Sequence, residues 1–195
     1  TKNSVIIGFF STILATTLGT IAALGLSRPE MPARRTIMAI LISPMIVPII
    51  ITATGLFFFY SWIGIQNWGI PYLGVVLAHA TLGIPFVIIT VTATLVGFDH
   101  SLTRAAANMG ADPMRTFFKV QLPLILPGVI SGALFAFVTS FDEVVVVLFV
   151  GGLDEQTIPR QMWNGIREQI SPAILSVATI LVIISIALLA TVELL

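Results

Sequence analysis

The sequence predicts an all-α protein built as a polytopic bundle of transmembrane helices, and two observations lead to that fold class. Hydrophobic residues make up 57% of the 195 residues and charged residues only 9%, with a mean hydropathy of +1.06. A soluble domain carries about 25% charged residues, so this chain has too few to cover a water-facing surface. The charges that it does have are separated by long uncharged stretches. We therefore expect an integral membrane protein with several spans.

The uncharged stretches set the number of spans. No Asp, Glu, Lys or Arg occurs in residues 3–27, 36–98, 120–141 and 169–192. A bilayer-spanning helix needs about 20 mostly apolar residues, so the longest stretch holds two helices and each of the others holds one. The five predicted spans are 5–26, 37–61, 73–97, one that begins near Pro123, and 172–192. Because the chain begins at Thr1 and stops within an apolar run, we also expect that one span precedes it.

The basic residues indicate the orientation. Residues 28–35 contain three Arg, and residues 98–119 contain Arg104, Arg115 and Lys119. The loops at the opposite side contain Lys2, Arg160 and Arg167. Cytoplasmic loops carry the excess of Lys and Arg, so 28–35 and 98–119 are predicted to be cytoplasmic.

Several chemistries are excluded or unsupported. The formal net charge is zero, which gives no reason to expect a nucleic-acid partner, and the chain has no cysteine. It has no Gly-Lys pair and hence no Walker A loop. His79 and His100 are too far apart for a helical zinc site, and a hydrogen bond to a neighbouring helix is the expected role of His79. We expect no catalytic residue, no metal site and no cofactor bound by the chain itself.

The stretch 98–128 is predicted to form a cytoplasmic helix–turn–helix. One apolar helix face, at positions i, i+3, i+4 and i+7, is formed by Leu102, Ala105, Ala106 and Met109. Gly110 is placed to end that helix and Pro113 to begin a second one. Periodicity alone leaves two interpretations open, in which the apolar face either folds under the bundle or docks into a partner's groove.

The same stretch resembles the EAA signature of ABC-importer permease subunits, which has the form EAA–x3–G–x9–I–x–LP. The matching positions are Ala105-Ala106, Gly110-Ala111, Phe118, Leu122-Pro123 and Pro127-Gly128. Val120 stands where the family has Ile, and Arg104 stands where it has Glu, a reversal of charge. The resemblance implies a MetI-like permease fold over 1–195, a single transmembrane domain with a coupling loop at 98–122.

The resemblance also implies partners. In such importers the first short helix of the loop seats in a cleft of a cytoplasmic ABC ATPase dimer, which binds the ATP. The residues that would make this contact are Arg104, Ala105, Ala106, Met109, Gly110 and Ala111. The chain would be a non-enzymatic, multi-pass subunit of a bacterial inner membrane, surrounded by lipid. It would work with a second permease subunit, homologous or identical, and an extracytoplasmic solute-binding protein.

An acidic pair, Asp142-Glu143, follows the span that begins near Pro123. At about 1.5 Å per residue the pair lies about 20–30 Å along that helix, in the outer half of the bilayer or at its outer surface. Carboxylates at membrane depth often mark a substrate path. The alternative is that the helix simply ends here and both carboxylates are solvated.

The segment around the pair is similar to the spermidine/putrescine branch of the permease family. The matching elements are Ser140 to Glu143, the apolar run 144–150, Thr157-Ile158-Pro159 and Trp163. Carboxylates and aromatic faces suit a polyamine, which carries separated ammonium groups. Candidate substrate-path residues are Asp142, Glu143, Phe141 and Trp163.

The function predicted from the sequence is that of a permease subunit of an ATP-driven polyamine importer. The alternatives are the same architecture serving ferric iron, thiamine or another small solute, an ion-coupled secondary carrier, and a membrane scaffold that transports nothing.

Overall fold

The computed structural model describes residues 1–28, 30–99, 101–168 and 172–193, and His100 lies outside them. Over these residues the chain is helical and contains no strand. The helices are α1 (Lys2–Leu26), α2 (Arg34–Ile46), α3 (Ile49–Ile63), α4 (Leu73–Val96), α5 (Ser101–Asn108), α6 (Pro113–Thr116), α7 (Leu122–Phe141), α8 (Val145–Val150), α9 (Ile158–Glu168) and α10 (Pro172–Glu193). A 3₁₀ turn, Ile65–Trp68, follows α3, and a π turn, Phe117–Gln121, joins α6 to α7. The predicted all-α fold class is confirmed.

The centre of the fold is a three-helix bundle of α1, α4 and α7. Ala15 of α1 packs beside Gly83 of α4, and Gly19 packs beside Val87, so the two helices run parallel. α7 runs antiparallel to α4, because Ala136 lies beside Gly83 and the earlier residue Gly132 lies beside Val87. Small residues at the crossings let the helix backbones approach closely, which is how helices associate where no hydrophobic force operates between them.

Gly132 offers a direct test of this packing. A Cβ there would lie 2.8 Å from the Cα of Val87 and 2.5 Å from Oγ1 of Thr90, so Gly132→Ala cannot fit without moving α4. We expect a loss of about 1–3 kcal/mol, the usual effect of overpacking, seen as a lower melting temperature of the detergent-purified protein. Gly55→Ala is the matched control, because Gly55 is also helical but has nothing within 4 Å of its Cβ position. Equal melting temperatures for the two variants would contradict the close crossing of α4 and α7.

The predicted span 37–61 is not one helix, and this part of the prediction was wrong. α2 ends at Ile46, α3 begins at Ile49, and their axes meet at 102°. Proline has no N–H to continue the helix, and it disfavours the helical conformation at the preceding residue. Val47, which precedes Pro48, has φ −68° and ψ 133°, the extended conformation that this preference favours. Pro44 lies inside α2, so Pro48 is the proline that breaks the span.

The other predicted spans coincide with helices. Three segments are long and apolar enough to cross a membrane: Lys2–Leu26, Leu73–Val96 and Pro113–Phe141. If the bent pair α2–α3 is counted as one further span, the described residues contain up to four spans. The fifth prediction, 172–192, falls on α10, in which Ile174–Ala187 is a shorter apolar helix.

The two ends of the bundle are built differently. At one end the C-terminal parts of α1 and α4 meet the N-terminal part of α7 in an apolar cluster that contains Ala23, Leu95 and Ile125. The basic segments 28–35 and 98–119 extend from this end, so they lie on the same side as predicted. At the other end Asn3 Nδ2 donates to the carbonyls of Asp154 (2.8 Å) and Gln156 (3.0 Å), which ties the start of α1 to the loop before α9.

Candidate functional site

The segment 101–121 forms the predicted helix–turn–helix, and Gly110 makes its turn. Gly110 has φ +83°, in the left-handed region that favours glycine. Its N–H donates to the carbonyl of Ala107 (2.9 Å), and the N–H of Ala111 donates to the carbonyl of Ala106 (3.0 Å). This pair of bonds is a Schellman motif, which satisfies the last carbonyls of α5. The side chain of Asp112 then accepts from the N–H of Arg115 (2.8 Å) and caps α6.

The helix–turn–helix buries few of its own residues and leaves several apolar side chains exposed. Ala106 (5% exposed) and Thr116 (8%) are its buried residues. Met109 is 81% exposed, and the other exposed large apolar side chains here are Leu102, Met114 and Phe118. Of the apolar face predicted from periodicity, only Ala106 is buried, and α5 packs against α6 and the π turn. Arg104 and Ala105 are exposed as well, and Ala111 is half-buried. We call the exposed side of 101–121 the loop surface.

The acidic pair does not lie on a continuous helix. α7 ends at Phe141, Asp142 is its C-cap, and α8 begins at Val145. Asp142 is exposed, and Ser185 Oγ of α10 lies 3.5 Å from its Oδ2. Glu143 is only 8% exposed, and its Oε1 accepts from the N–H of Val146 (2.9 Å), so it caps α8. We call residues 142–144 the acidic break.

The two carboxylates therefore have different surroundings. The helix stops before both residues, as in the alternative interpretation. That alternative also expected both carboxylates to be solvated, which is wrong for Glu143, since it is buried and accepts from a backbone N–H. Asp142 is the more exposed of the two.

The two aromatic candidates lie on different helices. Phe141 is buried, and its ring stacks on Phe137 with centroids 5.4 Å apart. Its position indicates core packing at the end of α7. Trp163 is 47% exposed on α9, a separate helix. The nearby Thr157-Ile158-Pro159 segment begins α9: Thr157 is buried, and Ile158 N–H donates to Ser4 Oγ (2.8 Å).

The structure also shows a buried polar cluster that the sequence reasoning did not assemble. His79 Nδ1 lies 2.7 Å from Ser140 Oγ, and Ser140 Oγ lies 2.9 Å from Ser11 Oγ. These three side chains come from α4, α7 and α1, and all are buried. The expected hydrogen bond of His79 to a neighbouring helix is present. Its partner was not predictable, because the apolar runs contain many Ser and Thr residues and spacing does not distinguish among them.

A cavity of about 590 Å³ at the end of the bundle opposite the basic segments was also missed. Its wall includes the aromatic side chains of Phe57, Tyr60 and Tyr72. Glu155 joins two of its sides: Oε1 accepts from the N–H of Tyr72 (2.7 Å) and Oε2 from the N–H of Gly152 (2.9 Å). Both oxygens of this carboxylate are used in bracing the loops.

Comparison with known proteins identifies relatives over nearly the whole chain. The family described as "Binding-protein-dependent transport system inner membrane component" matches residues 15–195. The spermidine/putrescine transport system permease protein PotC of Haemophilus influenzae is 33% identical over 186 residues, covering 95% of this chain and 71% of that protein. PotC of Escherichia coli K12 is 30% identical, covering 96% and 70%, respectively. The putrescine transport system permease protein PotI of the same organism is 32% identical over 171 residues, covering 86% of this chain and 61% of PotI.

A solved structure has the same fold. A chain of the MetNI methionine ABC transporter, in inward-facing conformations, superposes with a TM-score of 0.76 at 20% identity. The superposition covers 98% of this chain and 90% of that one. The predicted MetI-like permease fold is confirmed by this likeness.

Proposed function

The chain belongs to the family of binding-protein-dependent transport system inner membrane components, and on that premise we propose that it is the permease subunit of an ATP-driven polyamine importer. Family membership makes it a multi-pass membrane protein and a transport subunit rather than an enzyme. The observation that carries the substrate proposal is the similarity, over 95% of this chain, to a permease named for spermidine and putrescine.

The acidic break supports a cationic substrate. Asp142 presents an exposed carboxylate directly after a spanning helix, while the neighbouring Glu143 is held in capping α8. A single carboxylate in a partly apolar setting attracts an ammonium group strongly, because the effective dielectric constant there is well below that of water. Asp142 is thus the residue that we propose meets the substrate.

The loop surface supports a cytoplasmic ATPase as partner. It exposes two methionines, a phenylalanine and the basic Arg104, and it lies at the end of the bundle with more Lys and Arg. In the proposed mechanism α5 seats in a cleft of the ATPase dimer, and closure of that dimer on ATP rocks a permease pair from inward- to outward-facing. A solute-binding protein would deliver the substrate to the opposite end, and ATP would be bound by the ATPase alone.

The test is the ATPase activity of the complete complex reconstituted in lipid, with candidate solutes delivered by the cognate binding protein. The candidates are spermidine, putrescine, ferric iron and thiamine. Stimulation by the two polyamines alone is expected. Stimulation by iron or thiamine would contradict the polyamine proposal and leave the importer class intact. Purification of the chain without any ATPase, together with uptake driven by an ion gradient, would overturn the importer mechanism.

A further inference from the structure

The buried cluster of Ser11, His79 and Ser140 joins the three central helices at one level of the bundle. Ser140 lies two residues before Asp142, so the cluster holds the segment of α7 from which the acidic break departs. Ser140 directs its hydroxyl across to α1 and α4. It therefore fixes the end of α7 against both neighbouring helices.

The number of donor hydrogens in this cluster determines the direction of its hydrogen bonds. A serine hydroxyl has one hydrogen to donate and a carbonyl oxygen has none. Ser11 Oγ lies 2.6 Å from the carbonyl oxygen of Ile7, so its hydrogen points there. Ser140 must then donate to Ser11, which uses its only hydrogen. His79 Nδ1 must in turn donate to Ser140, so the imidazole carries its hydrogen on Nδ1.

The other ring nitrogen of His79 has no hydrogen-bond partner in the part of the chain that the structure describes. Nε2 is buried with the rest of the side chain, which is 1% exposed. An unpartnered buried acceptor lowers stability, so packing alone gives no reason for a histidine at this position. The Nδ1–H that reaches Ser140 is the feature that an apolar side chain of similar size would lack.

We propose that His79 is a positioning residue for substrate uptake: by donating from Nδ1 to Ser140 it anchors the end of α7 and so fixes the position of Asp142. This inference rests on the proposed function, in which Asp142 meets the substrate. His79 itself does not contact the substrate in this arrangement. It acts through Ser140 and the two residues that follow it.

The position of residue 142 can be measured without any substrate. The chain contains no cysteine, so Asp142→Cys introduces a unique thiol whose labelling by a small, charged, membrane-impermeant thiosulfonate reports its exposure. The measurement uses the complete complex in proteoliposomes, with the label read on this subunit. Gln66→Cys, exposed on the 3₁₀ turn after α3, is the control site. It should label at one rate in every background.

Four backgrounds separate the proposed bond from general packing. His79→Leu keeps the bulk but removes the donor, and Ser140→Ala removes the acceptor. The labelling rate of the thiol introduced at position 142 is expected to change about fivefold in both, within the range of a lost buried hydrogen bond. His79→Asn places an amide N–H near the position of Nδ1, so its labelling rate should stay within about twofold of the rate with His79. Ser11→Ala should also leave the labelling rate within about twofold, because the His79–Ser140 bond remains.

Uptake kinetics then link the position to transport. With Asp142 intact, His79→Leu is expected to raise the KM for spermidine about fivefold while lowering the maximal rate much less, and His79→Asn should return KM towards that of the unaltered complex. A change in maximal rate alone would indicate a merely structural role and overturn the proposal.

If the unaltered complex takes up no polyamine, only the proposed function is refuted. The thiol-labelling experiment still tests the positioning role, because it requires no substrate. The positioning role is overturned if the Asp142→Cys thiol is labelled at the same rate in three backgrounds: His79→Leu, Ser140→Ala and no further substitution. The absence of labelling when Asp142→Cys is the sole substitution also overturns it, since position 142 would then not be accessible.

Discussion

Uptake by the complete transporter is expected to fall at least tenfold when Gly110 is replaced by valine, while the ATPase subunits continue to hydrolyse ATP. Gly110 has φ +83°, and an L-residue in this region costs about 1–2 kcal/mol, with β-branched side chains the worst suited. Valine should therefore shift the turn back towards ordinary dihedral angles and break the two Schellman bonds of Gly110 and Ala111. Without them α5 would no longer present Met109 and Ala105 as the loop surface. The measurement is the ratio of substrate transported to ATP hydrolysed in proteoliposomes.

The space around Gly110 makes this a test of backbone conformation and not of crowding. Nothing lies within 4 Å of a Cβ built at Gly110, so an added Cβ meets open space there. Gly110→Asn should be milder than valine, since asparagine tolerates the left-handed region better than other non-glycine residues. Gly97→Val is the matched control, because Gly97 is equally open but has φ −91°. An unchanged ratio of substrate transported to ATP hydrolysed in Gly110→Val would contradict the coupling role assigned to the loop.

Asp142→Asn is expected to weaken spermidine uptake about 10- to 100-fold at low substrate concentration. The physical reason is the loss of a charge–charge attraction, worth up to about 4 kcal/mol at 4 Å in an effective dielectric constant of 20. Each 1.4 kcal/mol of binding free energy corresponds to about tenfold in affinity. The measurement is the concentration dependence of radiolabelled spermidine uptake by the reconstituted complex.

Glu143→Gln should have a much smaller effect than Asp142→Asn. The glutamine oxygen can still accept from the N–H of Val146 and cap α8. The substitution therefore removes only the negative charge of a buried carboxylate and keeps its hydrogen bond. Glu30→Gln, an exposed acid in the predicted cytoplasmic segment 28–35, serves as the control for a change in net charge. Undiminished spermidine uptake by the Asp142→Asn, Glu143→Gln double variant would refute the acidic break as part of the substrate path.

Much of the helical organisation could be predicted from the sequence because it depends on local composition. Uncharged runs of about 20 residues located α1, α4, α7 and α10 to within a few residues. Gly110 and Pro113 located the turn and the second helix of 101–121, since each residue has a conformational preference of its own. The EAA-like spacing identified the family for the same reason: it is a pattern within one short segment.

Tertiary structure decided the rest. Pro44 and Pro48 look alike in the sequence, yet only Pro48 breaks the span, with α2 and α3 at 102°. Asp142 and Glu143 are adjacent, yet one is exposed and the other caps α8, because α7 stops at Phe141. Among many Ser and Thr residues in apolar runs, Ser140 meets both His79 and Ser11 only because α1, α4 and α7 pack in one register. Composition determines which segments are helices in a membrane, but which polar groups meet is fixed by helix register, because a buried hydrogen bond requires its two atoms to lie within about 3 Å.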